Sequence, residues 1–141
     1  MGHLNYNWII SLGGTMTIQA VLQVLNEAVK RGDCYKKAMD SILFGKYRSW
    51  NVVHGIPTLL GGPYQGQKYG HAWLEKGNTV YDPTMDIEVD KRVYYAMGQI
   101  KYTVTYTPME ARAKAVETMH YGPWDQKVWN ADPEGGTPFK E

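Results

Sequence analysis

A single cysteine, Cys34, stands in 141 residues. One thiol cannot close an internal disulfide, which excludes a small secreted scaffold held by bridges, and it cannot furnish a four-thiolate zinc site. A large excess of charge of either sign is missing too, since 15 basic and 14 acidic side chains leave a formal net charge of only +1. Binding driven by counterion release needs clustered Lys and Arg, so no nucleic acid partner is expected. No apolar run approaches the roughly 20 residues of a membrane span, so no membrane partner is expected either. The opening stretch, Met1 to Ile10, lacks a basic leader and a long apolar block and does not read as a signal peptide. It also carries Tyr6 where myristoylation would want Ser or Thr. These absences set a cytoplasmic expectation.

What is present suits one domain. Hydrophobic residues make up 43% and charged ones 21%, which excludes wholesale disorder, and the length allows a genuine core. Residues 1–16 read as an N-terminal arm, 17–122 as the domain, and 123–141 as a loop or tail. Thr17 to Arg31 has the strongest helical pattern, with Ile18, Val21, Leu22, Leu25, Ala28 and Val29 on one face and Gly32 as a stop. Asp33 is placed to cap a second helix, Cys34 to Phe44. Trp50 to His54 turns to β-branched residues. Tyr69 to Glu75 and Thr79 to Pro83 flank Lys76-Gly77-Asn78, a hairpin signature. Gln99 to Thr107 alternates as a half-buried strand, and Thr107-Pro108-Met109-Glu110 is a capping box opening a helix to about Tyr121. Helices first, antiparallel strands next and a helix last make the class α+β, with N-terminal helices packed on an antiparallel sheet.

A thiol is a nucleophile only as the thiolate, so it needs a group to hold its proton. At a helix N-terminus, unpaired backbone N–H groups favour negative charge at Cys34, while the neighbouring carboxylate of Asp33 opposes it. A histidine partner is therefore required. His71 qualifies through the hairpin. With a two-residue Gly77-Asn78 loop, Trp73 faces Asp82 and His71 faces Thr84, leaving Asp82 one diagonal step from His71 on the same face. A four-residue loop sets them directly opposite, and a three-residue loop separates them onto opposite faces. In either favourable register, the carboxylate can fix the imidazole tautomer and stabilise the imidazolium.

Gly32-Asp33-Cys34, Gly70-His71-Ala72-Trp73-Leu74-Glu75 and Tyr81-Asp82-Pro83-Thr84 together resemble the transglutaminase-like branch of the papain-like cysteine peptidase fold. The resemblance covers little more than a third of the chain. It implies Cys34 as nucleophile, His71 as general base and acid, and Asp82 as orienter, in a thiol-dependent transfer or hydrolysis of an amide bond. A peptide or protein amide is the implied partner, and transglutaminase-type transfer to an amine is the alternative. A non-catalytic binding protein on the same fold is a further one. The Cys34 backbone N–H is one oxyanion donor. For the second the resemblance points to a Gln or Trp side chain, and Gln19 is preferred over Gln23 and Trp50. The Gly-Ile-Pro that commonly follows the cysteine helix stands here at Gly55-Ile56-Pro57, nearer the histidine and with no arginine after it.

Each residue also has a plainer reading. A lone cysteine is commonly an inert buried thiol, and Asp82 before Pro83 is a turn residue. Trp73 reads as core and Glu75 as strand surface. His54 is a rival base, but no Asp follows it at hairpin spacing. His120 fits a helix C-terminus, and His3 lies in the arm. Asp82, Asp86, Glu88 and Asp90 lack the glycine and bidentate glutamate of a calcium loop and read as solvated. Gly61-Gly62 lacks the lysine and helix of a phosphate loop. Tyr94, Tyr95, Tyr102 and Tyr106 read as core or edge aromatics at strand spacing. No metal and no cofactor are expected.

Overall fold

The computed structural model describes residues 8–11, 14–17, 33–59 and 65–131. The predicted helix over Thr17 to Arg31 falls outside them except for Thr17, which closes a strand. Seven strands form one sheet in the order β2-β1-β6-β5-β4-β3-β7. They are β1 (Trp8–Ser11), β2 (Gly14–Thr17), β3 (Asn51–Gly55), β4 (His71–Lys76), β5 (Thr79–Asp82), β6 (Ile87–Asp90) and β7 (Thr103–Tyr106). The four helices are α1 (Cys34–Leu43), α2 (Lys91–Met97), α3 (Pro108–Thr118) and α4 (Gln126–Ala131). The class is α+β, and every strand pairing is antiparallel.

Five strands, β6 to β7 in spatial order, make the centre. The β1–β2 hairpin joins at the β6 edge through Ser11 opposite Ile87. Part of the expected arm is thus a strand pair. α4, with Val128 fully buried, lies within the expected tail.

Helices cover both faces. On one, α1, α3 and α4 supply Tyr35, Ala38, Met39, Ile42, Ala111, Ala115 and Val128 to a core with Val52, Ala72, Leu74, Tyr81 and Tyr106. On the other, Tyr94 and Met97 of α2 pack with Val53, Trp73, Val80 and Ile87. Alternate residues of β3 and β4 feed opposite cores, which is why both strands are buried almost throughout.

Two local features match their residues closely. Thr107 accepts from the Glu110 backbone while the Glu110 side chain accepts from the Thr107 backbone, closing the capping box at the start of α3. Gly77, at φ 59°, and Asn78 form a two-residue hairpin loop, because Lys76 pairs with Thr79 and Leu74 with Tyr81. A glycine at the first central position is what a type II′ turn needs.

The strand predicted over Gln99 to Thr107 is shorter. Gln99 sits at φ 50° after α2, and pairing begins only at Thr103. The tyrosines Tyr94 and Tyr95 are helical, because Asp90 caps α2 by accepting from the Arg92 backbone at 2.8 Å. The acidic string expected as loop contains β6, in which Ile87 and Val89 alternate with Glu88 and Asp90. Glu88 accepts from the Tyr47 hydroxyl at 2.6 Å and lies 3.6 Å from the Lys46 ammonium. These partners remove it from the solvated reading.

Candidate active site

α1 lies against β4, and its N-terminus meets the end of the sheet where β4 begins. Tyr35, the second residue of α1, touches the His54 ring edge-on at 5.0 Å, and Gly55 beside His54 pairs with His71. Asp33 occupies the N-cap position but its side chain makes no capping hydrogen bond. The capping role expected of it is therefore absent, and the helix end remains a source of field that favours negative charge at Cys34.

The two-residue loop fixes the register that brings imidazole and carboxylate together. His71 Nε2 lies 2.8 Å from Asp82 Oδ2, with both side chains buried. Asp82 is held from three sides. Its Oδ1 accepts from the Thr84 backbone N–H at 2.9 Å, and its Oδ2 also accepts from the Tyr94 hydroxyl at 2.5 Å. An ionised carboxylate only accepts, so Nε2 carries the ring proton. Nδ1 is then the nitrogen left to face Cys34, whose side chain acts electrostatically on the ring. Burial opposes charge on His71, but the Asp82 carboxylate and the Cys34 sulfur outweigh it and push the imidazole up to about 10.

No family model, curated protein or solved structure matches this chain. The site stands on its own geometry.

Of the residues expected at the site, Cys34, His71 and Asp82 come together. Gln19, the preferred second oxyanion donor, and Gln23 lie outside the described residues, as does His3. Trp50 precedes β3 at its far end, since Asn51 pairs with Glu75 while Gly55 pairs with His71. Four residues of strand, about 13 Å, separate those pairs, so Trp50 cannot serve as the donor. It packs on Tyr47 instead.

His54 is buried on the opposite face from His71 and meets no carboxylate. Its ring is surrounded by Tyr35, Trp124 and Tyr106 at 5.0, 5.0 and 5.2 Å, and neither ring nitrogen has a hydrogen-bond partner among the described residues. Burial first, then the nearby His71 and His120, depress it to about 3. A ring whose protonation burial opposes this strongly is a poor base. His120 accepts from the Gly122 backbone through Nδ1 at 2.9 Å and belongs to the turn after α3.

Glu75 departs most from its sequence reading. It is buried rather than exposed, accepts from Trp73 Nε1 at 2.8 Å and from the Tyr95 hydroxyl, and pairs with the Lys91 ammonium at 3.2 Å. α2 covers this face of β4, which strand alternation alone could not reveal. Consecutive tyrosines of α2 thus serve two buried carboxylates, Tyr94 for Asp82 and Tyr95 for Glu75, with Trp73 between them at 5.2 and 6.0 Å from the two rings. The sequence cue was Asp90 followed by helical spacing.

Among the described residues, no group of three or more His, Cys, Asp or Glu side chains could hold a metal ion. No helix among them is long and apolar enough to cross a membrane.

Proposed function

We propose that this protein is a cysteine hydrolase or acyltransferase of transglutaminase-like type, acting on an amide bond of a peptide or protein. One observation carries the reading: a buried imidazole is clasped by a carboxylate at 2.8 Å, and the only thiol of the chain is near enough to act on it electrostatically. An imidazole held near 10 keeps its proton at neutral pH, which makes it a counter-ion for a thiolate at its side.

The reaction then runs in two halves. Cys34 Sγ attacks the carbonyl carbon, and the tetrahedral oxyanion is met by the Cys34 backbone N–H. His71 passes its proton to the leaving amine as the C–N bond breaks, which leaves a thioester. Water or a second amine attacks that thioester, and His71 accepts the proton released. The C–S bond breaks, and free acid or a new amide departs. Asp82 keeps the ring in register throughout.

A non-catalytic binding protein is the second reading, favoured by the burial of the Cys34 side chain, which is only 4% exposed. Alkylation by iodoacetamide across pH separates the two. A His71-paired thiol reacts well below the pH of a free cysteine, whereas an inert or normally titrating thiol supports binding alone. Turnover of a peptide amide should vanish in Cys34→Ala with the fold intact. Retained turnover would refute the assignment. Hydroxylamine trapping of the acyl group tests the thioester directly.

A further inference from the structure

The fully buried carboxylate of Asp82 is shared, and the sharing is uneven. Oδ1 is taken by the backbone of its own turn, through Thr84 N–H at 2.9 Å. Oδ2 receives both remaining donors, His71 Nε2 at 2.8 Å and the Tyr94 hydroxyl at 2.5 Å. The shorter bond belongs to the tyrosine. Both donors therefore compete for the charge of one oxygen, inside a core where water cannot compensate for losing either.

We propose that Tyr94 is a positioning residue for the reaction, which sets through Asp82 how tightly His71 holds its proton. The inference rests on the function proposed above. A hydrogen bond from a neutral donor draws charge from the carboxylate and leaves less to stabilise the imidazolium. Without it, the Asp82–His71 pair gives up its proton at higher pH, whichever atom carries it. The effect bears on catalysis because the same proton must leave for the departing amine. An imidazolium bound too firmly is a poor acid. Tyr94 is suited to the task, since burial and the Asp82 charge raise its own pKa and it remains a donor across the working range. Its place is fixed by the Asp90 cap that starts α2 and by the Trp73 ring 5.2 Å away.

A tyrosine that only fills the core would lose little on becoming phenylalanine, and His71 would not notice. The two roles can be told apart by titrating His71 through its ring nitrogen signals in NMR. In Tyr94→Phe the midpoint should rise by about 0.5–1 unit, the scale of one donor to a carboxylate. The alkaline limb of Cys34 alkylation should move with it, and kcat should fall with KM little changed. Placing 3-fluorotyrosine at position 94 keeps the ring and strengthens the donor, so the midpoint should move down. This second variant guards against poor folding of the first. Unmoved midpoints in folded protein overturn the inference. Failure of the underlying function looks different: Cys34 would alkylate as an ordinary thiol, and Cys34→Ala would leave the His71 midpoint where it was. That outcome removes the reaction and Tyr94's part in it, whereas a flat response to Tyr94→Phe removes Tyr94's part alone.

Discussion

Replacing His54 by phenylalanine isolates what a buried, neutral imidazole does to acid stability. The ring is fully buried among Tyr35, Tyr106 and Trp124, and its folded-state pKa is lowered to about 3 from an ordinary value of 6.5. The folded state therefore refuses a proton that the unfolded chain takes up as soon as pH drops below 6.5. Stability from this residue is fully present above pH 6.5. It is lost as pH falls toward 3, at about 1.4 kcal/mol per unit and up to about 5 kcal/mol in all. Phenylalanine takes up no proton in either state. Urea unfolding of both proteins at closely spaced pH values between 8 and 3.5 gives the difference directly. Other carboxylates and histidines titrate in both and cancel, while any constant offset from ring size leaves the slope untouched. The wild type should lose stability relative to the variant by about 3 kcal/mol between pH 6.5 and 4. Parallel profiles would refute the claim that His54 is held neutral.

Gly122 sits at φ 119°, and a Cβ there would lie 2.6 Å from His54 Cε1. Gly122→Ala should therefore destabilise by about 2–4 kcal/mol in urea titration, from strained backbone and overpacking together. Glu75→Ala strands the buried Trp73 Nε1, removes the acceptor of the half-buried Tyr95 hydroxyl and should cost about 2–4 kcal/mol, with Glu75→Gln milder. Thr107→Ala opens the capping box of α3 and should cost about 1 kcal/mol, read as a small fall in Tm. Asp82→Asn should lower kcat by about 10²–10⁴-fold on a peptide amide while the protein stays folded, because an amide can no longer hold His71 in the right tautomer.

Short-range chemistry was the legible part. The helix from Cys34, the capping box at Thr107 and a hairpin turning near Gly77-Asn78 each follow from neighbours a few positions apart. The diagonal meeting of His71 and Asp82 is one of the outcomes that counting allows, and the strand register, with Lys76 opposite Thr79, selects it. What escaped depended on what covers what. Glu75 sits at a strand position that solvent would normally claim, and only α2 packing over β4 turns it into a buried acceptor. Tyr94 and Tyr95 looked like strand aromatics because the cap at Asp90 was read as one more surface acid. His54 read as a rival base because its aromatic surroundings come from α1, β7 and the segment after α3, far away in sequence.

The hairpin that joins His71 to Asp82, eleven positions apart, closes on itself. Two of the three candidate groups thus arrive as one pre-assembled ribbon, and only the sulfur is delivered by a separate element. Tilting α1 against the sheet would carry the sulfur away while leaving the proton-holding pair intact, so on the proposed reading one rod governs whether the three groups can act together.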